Sequence, residues 1–247
     1  MMQTDMLQSA EPVRRTLIKR AAGLSVLGIA GVIGIGTPSL SYAAALSKEE
    51  RDKMTPDQII EGLKQGNIRF HTGKPHRHDY LAQKRASAAG QYPSAVILSC
   101  IDSRAPAEIV LDTGIGEAFN SRIAGNISNA DILGSLEFAC AAAGAKVVLV
   151  MGHTACGAVK GAIDNVELGN LTGLLEKIKP AIDKTEYTKE RVSSNDEFVD
   201  AVAATNVKLT LEELRKSDIL HKLESEGKIK IIGSMYHLVG GKVDFFS

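Results

Sequence analysis

Two short stretches that carry cysteine and histidine each follow a run of apolar residues, and this arrangement most constrains how the chain can fold. Residues 95–98 (AVIL) precede the first stretch, residues 100–104 (CIDSR), and residues 147–150 (VVLV) precede the second, residues 152–157 (GHTACG). Short apolar runs of this kind are typical of parallel strands that are buried on both faces. Open α/β sheets carry functional residues just beyond the carboxyl ends of such strands, so we expect both stretches to meet at one edge of a sheet.

Two thiols and one imidazole would then lie together at that edge. Cys100, His153 and Cys156 form a ligand set that suits zinc. Catalytic zinc sites keep a fourth position open, whereas structural sites are usually closed by four protein ligands, so we predict one catalytic zinc ion per chain. Taken singly, each residue is better explained as a buried thiol or a loop residue; the combination indicates a metal. Cys140 lies in an alanine-rich segment and is predicted to be a core residue, not a fourth ligand.

The remaining sequence completes an α/β pattern around one sheet. Further strands are predicted at residues 118–123 and 228–235, and Gly240-Gly241 turns the chain into an edge strand at residues 243–246. We predict an α/β fold: a mostly parallel four-stranded sheet with an antiparallel edge strand, flanked by helices, plus an amino-terminal helical arm.

Residues that are typical of helix N-termini predict where the helices begin. Thr55 followed by Pro56 is predicted to begin the helix of the arm. Residues 128–131 are predicted to begin a helix that extends to Gly144, and residues 170–182 to form a single amphipathic helix. Residues 72–80 are polar and rich in histidine, and we expect a solvated loop there rather than an accessory metal site.

The first 45 residues differ in composition from the rest. Arg14-Arg15 precedes a weakly apolar, glycine-rich run, and small residues follow at positions 43–45. This layout is typical of a cleavable export signal. The pair of arginines is typical of export signals of the twin-arginine type. An uncleaved anchor is the alternative, but the run is short and rich in glycine for a membrane span.

The predicted organisation therefore has three parts. Residues 1–45 are expected to be a signal peptide, residues 46–90 the helical arm, and residues 91–247 an α/β zinc-binding catalytic domain. The mature protein is expected in the periplasm, with no stable membrane association after the signal is cleaved. Formal net charge is zero, and no basic patch is interleaved with aromatic residues, so nucleic acid is excluded as a partner. The chain has only three cysteines, which argues against a fold held together by a scaffold of disulfides.

The two motifs together resemble those of the β-class carbonic anhydrases. That family carries Cys-x-Asp-x-Arg after its first sheet strand and His-x-x-Cys after a later one, and the similarity extends from about Gln58 to the carboxyl terminus. It implies a lyase that hydrates carbon dioxide reversibly to bicarbonate and a proton by means of zinc-bound hydroxide. Family members are dimers or multiples of dimers, so the resemblance also implies a homodimer or homotetramer.

The resemblance implies catalytic roles for Asp102 and Arg104. Two thiolates cancel the charge of zinc, so bound water is acidified less than in a three-histidine site, where its pKa falls to about 7. Arg104 is expected to hold Asp102 in a forked ion pair, and Asp102 to orient the zinc-bound hydroxide. Two alternatives stay open: the pair lies on the surface without a role, or Asp102 closes the metal as a fourth ligand, as in some family members at low pH.

Four residues match the substrate pocket of the plant-type members of that family. Gln91, nine residues before Cys100, matches a glutamine that hydrogen-bonds substrate or bicarbonate. Phe119 and Phe138 match aromatic positions, and Ala124 a small aliphatic one, in an apolar pocket that suits carbon dioxide because this molecule has no net dipole. Simple core packing is the alternative for each phenylalanine.

Two other functions also fit these motifs. One is a related zinc hydrolase that acts on carbonyl sulfide or carbon disulfide and shares the ligands. The other is a non-catalytic zinc-binding or bicarbonate-binding protein.

Overall fold

Five strands form one sheet in this computed structural model, which describes residues 45–246 of the chain. The strand order is β2-β1-β3-β4-β5, with β1 at Ala95–Ser99, β2 at Ala118–Arg122, β3 at Val147–His153, β4 at Lys230–Tyr236 and β5 at Val243–Phe246. The first four strands are parallel to their neighbours, and β5 is antiparallel to β4. The predicted fold class is thereby confirmed. The predicted signal peptide, residues 1–45, lies outside the described residues except for its last position.

Helices cover both faces of the sheet. Within the described residues they are α1 (Lys48–Lys53), α2 (Pro56–His71), α3 (Tyr80–Ser87), α4 (Ala107–Val110), α5 (Ala130–Glu137), α6 (Gly157–Ile163), α7 (Gly169–Leu175), α8 (Lys179–Lys184), α9 (Asp196–Leu214) and α10 (Asp218–Ser225). A 3-10 turn (Ala124–Asn126) follows β2, and a π-helical turn (Phe138–Ala142) extends α5. None of the helices between residues 45 and 246 has both the length and the apolar character that crossing a bilayer requires.

Alternate residues of the central strands enter two separate cores. One core, on the α9 side, takes Val96 and Leu98 of β1 together with the equivalent positions of β3. The other core, on the side of α2 and α4, takes Ile97 of β1 and Leu149 of β3. Side chains of a strand point to opposite faces in turn, so β1 and β3 are buried on both sides. The predicted doubly buried strands are therefore present, and loops at the strand ends carry the polar groups.

Helix α2 of the amino-terminal arm begins where the sequence predicted a helix start. Thr55 Oγ1 accepts a hydrogen bond from the Gln58 backbone N–H at 3.2 Å, and Gln58 Oε1 accepts one from the Thr55 N–H at 2.8 Å. This reciprocal capping box satisfies two backbone donors that the first helical turn leaves free. Ile59 and Leu63 of α2 are then buried against the sheet. The arm thus packs on its own chain.

The histidine-rich segment between α2 and α3 is mostly exposed, as the sequence predicted, but the side chain of His78 is buried. His78 Nε2 lies 3.1 Å from Asp112 Oδ1, and the two side chains are only 4% and 3% exposed. Arg69 Nε donates to Asp112 Oδ2 at 2.5 Å. Asp112 can receive these groups because it follows α4, over which the arm folds. Polar composition did not predict burial here because the three partners are far apart in sequence.

One predicted helix is two helices in the structure. The sequence predicted a single helix over residues 170–182, whereas α7 ends at Leu175 and α8 begins at Lys179. Pro180 lies in the first turn of α8, where its missing N–H needs no partner. In a continuous helix the proline ring would clash with the carbonyl of Glu176. The proline therefore divides the segment.

We expect two glycines of α2 to respond oppositely to alanine. A Cβ at Gly66 would lie 1.9 Å from the Leu111 carbonyl oxygen, whereas a Cβ at Gly62 would meet nothing within 4 Å. Gly66→Ala should lower the free energy of unfolding by about 1–3 kcal/mol through overpacking. Gly62→Ala should raise it by up to about 1 kcal/mol because alanine favours helix. Urea unfolding at one protein concentration measures both, and equal stability of the two variants would contradict this packing.

Candidate metal centre

Cys100, His153 and Cys156 meet at the carboxyl ends of β1 and β3. Cys100 follows the last residue of β1, His153 ends β3, and Cys156 is the residue before α6. One potential ligand atom from each, two Sγ atoms and an imidazole nitrogen, lie within 4.8 Å of one another. All three residues are at most 4% exposed. The structure therefore brings together the three residues that the sequence predicted as ligands.

The imidazole of His153 is oriented by the backbone of the next residue, Thr154. Its Nδ1 lies 2.9 Å from the Thr154 carbonyl oxygen, and because a carbonyl only accepts, Nδ1 carries the proton. Nε2 is then a bare lone pair; it is buried and has no hydrogen-bond partner among the described residues. Asp102 Oδ2 lies 3.8 Å away, beyond hydrogen-bond distance. A buried nitrogen without a partner beside two thiols has the donor chemistry of a metal site.

The pKa values of the two buried thiols are shifted in opposite directions. A hydrogen bond from Cys156, supported by the Gly125 N–H, lowers the pKa of Cys100 to about 4, although burial opposes this shift. The same sulfur–sulfur bond, together with burial, raises the pKa of Cys156 far above its usual value. A metal that binds both sulfurs as thiolates must displace the proton of the Cys156 thiol, so metal affinity falls as pH falls.

Asp102 and Arg104 form the forked pair that the resemblance implied. Asp102 Oδ1 accepts from the Arg104 backbone N–H and from Nε, each at 2.9 Å, and Oδ2 accepts from Nη2 at 2.7 Å. These bonds lower the pKa of Asp102 to about 2 despite partial burial. Asp102 is therefore ionised at neutral pH. Its Oδ2 lies 3.8 Å from His153 Nε2, which places the carboxylate beside the ligand cluster.

Arg122, at the end of β2, also holds this loop, and the sequence did not reveal that role. Its Nε donates to the Cys100 carbonyl at 2.9 Å and its Nη2 to the Asp102 carbonyl at 2.6 Å. The register of the sheet pairs Arg122 with Ser99, the residue before Cys100. One signal was available: an arginine at the end of a predicted strand.

The second ligand loop is held by Asp200 of α9. The Ala155 backbone has φ +51°, a conformation that non-glycine residues rarely adopt, and its N–H donates to Asp200 Oδ1 at 2.7 Å. The Ala155 carbonyl is 3.4 Å from Arg104 Nη2. The turn between His153 and Cys156 is thus bonded to α9 on one side and to the Arg104 side chain on the other.

The predicted substrate-pocket residues do not all lie near the cluster of one chain. Ala124 does, because it precedes Gly125, whose N–H contacts Cys100 Sγ. Phe119 of β2 pairs in register with Val96 of β1. Val96 precedes Cys100 by four residues, which is about 13 Å along the strand, so Phe119 lies that far below the level of Cys100.

Gln91 precedes β1 altogether and is exposed. The rings of Phe119 and Phe138 are 6.1 Å apart, and Phe138 is 57% exposed. Gln91 and the two phenylalanines therefore lie away from the carboxyl end of β1, where the ligands are. Their contact with substrate stays a prediction.

Comparison with known proteins agrees with this geometry. The family model for carbonic anhydrase matches residues 95–243, more than half of the chain. The chain is 34% identical over 193 residues to carbonic anhydrase 2 of Mycobacterium tuberculosis, covering 76% of this chain and 91% of that protein. The chain belongs to the β-class carbonic anhydrase family. It is therefore an enzyme of the lyase class, as the resemblance implied.

Other members of the family show the same relationship. The carbonic anhydrase of Mycolicibacterium smegmatis is 34% identical over 199 residues, covering 78% of this chain and 94% of that protein. Among solved structures, the β-carbonic anhydrase CafA of Aspergillus fumigatus is 27% identical, with a TM-score of 0.59 over 66% of this chain and 79% of that one. A tetrameric β-carbonic anhydrase from Sordaria macrospora, at 24% identity, has a TM-score of 0.58 over 65% and 83% of the two chains. This last match supports the fold.

Proposed function

We propose that the chain holds one zinc ion on Cys100, His153 and Cys156 and hydrates carbon dioxide reversibly to bicarbonate and a proton. The observation that carries this proposal is the buried, partnerless His153 Nε2 beside two thiols in a β-class carbonic anhydrase fold. Three protein ligands leave one position for water or substrate. Zinc, when bound, supplies the positive charge that makes water a nucleophile at neutral pH.

Asp102 would orient the attacking water oxygen by accepting a hydrogen bond from it. Oδ2 is suited to this role, because it lies beside the ligand cluster and takes only one bond from Arg104, whereas a carboxylate oxygen can accept two. Arg104 keeps the carboxylate ionised and fixes its plane. The pair therefore performs positioning, and the proton released on hydration leaves to solvent.

A second copy of the chain would complete the substrate pocket with Gln91, Phe119 and Phe138. Within one chain these residues lie away from the cluster, while Phe138 and Ile101, which follows Cys100, are 57% and 60% exposed. Exposed apolar side chains around a site are typical of an interface. We propose a homodimer or homotetramer on this basis. Light scattering on the purified protein tests it, and a fully active monomer would contradict it.

We also propose export to the periplasm through a cleaved signal at residues 1–45. The support is the Arg14-Arg15 pair, the glycine-rich run after it and the small residues before Leu46. Twin-arginine export carries folded proteins, so the thiols could bind metal before they meet an oxidising compartment. Cell fractionation of the variant with both arginines changed to lysine tests this route; unimpaired export would exclude it.

Metal content should depend on Cys156 and not on Cys140. Elemental analysis of the purified protein is expected to find about one zinc per chain, as a three-ligand site requires. Cys156→Ser should lose most of this zinc. Cys140→Ser is the matched control, since Cys140 is also buried but does not belong to the cluster of potential ligands. Full zinc in the Cys156→Ser protein would remove Cys156 from the site.

Hydration activity should depend on the Asp102–Arg104 pair without a loss of zinc. Arg104→Ala is expected to lower kcat/KM for carbon dioxide by about 100- to 1,000-fold, the scale of one lost preorganised polar partner. Asp102→Asn should also impair hydration, because the amide places an N–H donor where one of the two carboxylate oxygens was an acceptor. Stopped-flow hydration and zinc analysis measure both effects. Arg215→Ala is the control, since Arg215 forms a similar fork with Glu224 elsewhere in the fold.

Three outcomes would contradict this function in different ways. Parental hydration rates in both dyad variants would make the pair structural. Zinc-loaded protein that hydrolyses carbonyl sulfide or carbon disulfide but does not hydrate carbon dioxide would be the related hydrolase. Zinc-loaded protein without any of these activities would be a binding protein.

A further inference from the structure

Helix α9 reaches a metal ligand through one residue of the 3-10 turn. Asn206 of α9 donates from Nδ2 to the Gly125 carbonyl oxygen at 2.7 Å. The Gly125 N–H in turn donates to Cys100 Sγ at 3.3 Å. Asn206 is 3% exposed, so water does not compete for the Gly125 carbonyl as it would at the surface. The two groups of Gly125 therefore connect a buried amide to a ligand sulfur.

The conformation of Gly125 makes this connection specific. Its φ is +68°, in the left-handed region, and a Cβ there would lie 2.6 Å from Ile178 Cδ1. Glycine is consequently required on both conformational and steric grounds. A glycine backbone is also the most flexible one, so its orientation depends on the bonds it makes. Asn206 supplies such a bond from a rigid element, a helix of 19 residues.

We propose that Asn206 is a positioning residue for the metal centre: it holds the Gly125 peptide so that its N–H donates to the Cys100 thiolate. This inference rests on the proposed metal site and deepens it. A hydrogen bond to a thiolate draws electron density from the sulfur, and groups of this kind orient ligands and tune the metal that they hold. Cys100 is thereby fixed in place and donates less charge than a free thiolate.

The effect matters here because of the charge of the ligand set. Two thiolates cancel the two positive charges of zinc, which weakens its pull on a fourth ligand. A donor aimed at Cys100 Sγ restores part of that pull. The donor does not need to be a charged group, and the Gly125 N–H is close enough to Cys100 Sγ to act as this donor.

The same helix contacts the other ligand loop independently. Asp200 accepts from the Ala155 N–H, six residues before Asn206. Thr210, four residues after Asn206, is buried as well, and its Oγ1 lies 3.4 Å from the Asn126 carbonyl oxygen. Thr210 thus makes a comparable but longer hydrogen bond to Asn126, the next residue of the turn, whereas the Gly125 carbonyl is bonded by Asn206. It offers a control on the same helix.

The test compares Asn206→Leu with Thr210→Val in the full chain. Each change removes one buried polar group at nearly constant volume, but only the first releases Gly125. Zinc affinity is measured by competition with a chromophoric chelator, and the cobalt(II)-loaded protein reports the energy of the thiolate-to-metal charge-transfer band. Asn206→Leu should weaken zinc binding by about 10- to 100-fold. It should also move the band to longer wavelength, because the sulfur loses a donor. Thr210→Val should change zinc affinity by less than about threefold, well below the loss expected for Asn206→Leu, and should leave the band in place.

The outcomes separate this inference from the metal site itself. A folded Asn206→Leu protein with parental zinc affinity and an unmoved band would overturn the inference, as would lowered thermal stability with an unmoved band. If Asn206→Leu does not fold, Asn206→Ser takes its place, because the serine hydroxyl is too short to reach Gly125. Zinc affinity and the position of the band then test the inference in the same way. A parent protein that binds neither zinc nor cobalt would overturn the metal site and the inference with it.

Discussion

The parallel pairing of β1 with β3 is the constraint on which the rest of the structure depends. Their register sets Ser99 opposite Met151, so Cys100 emerges level with Gly152 and next to His153. A slip by one residue would turn every side chain of one strand to the opposite core and move the ligands apart. Ile97 and Leu98 lie in different, closely packed cores and are both fully buried, so such a slip would require both cores to repack. Packing of the sheet thereby fixes the geometry of the site.

Hydrogen-bond donors surround an anionic centre. The pKa values of Cys100 and Asp102 are both lowered, whereas that of Cys156 is raised, so negative charge is favoured on the Cys100 sulfur and on the Asp102 carboxylate. Arg104 bonds the carboxylate, and Arg122 bonds the backbone carbonyls of the same loop. These arginines partly balance the charge and also fix the loop. The site therefore combines a cluster that suits a divalent cation with a carboxylate that stays ionised beside it.

Local patterns predicted much of this structure. Apolar runs located the central strands, Thr55 and Pro56 located the start of α2, and the spacing of the two motifs identified the cluster of Cys100, His153 and Cys156. The residues that hold the ligand loops were not found. Arg122, Asp200 and Asn206 act on residues 22, 45 and 81 positions away, and no local periodicity reports such contacts. The break at Pro180 was readable from the chain, because a proline stands inside the predicted helix.

X-ray absorption at the zinc edge of the purified protein tests the central claim most directly, because it counts the ligands by element. The account predicts two sulfur atoms at about 2.3 Å and light atoms at about 2.0–2.1 Å, one of them from imidazole. Cys156→Ser should reduce the sulfur count. A shell of nitrogen and oxygen alone, or one with three sulfurs that includes Cys140, would contradict a metal centre built on Cys100, His153 and Cys156.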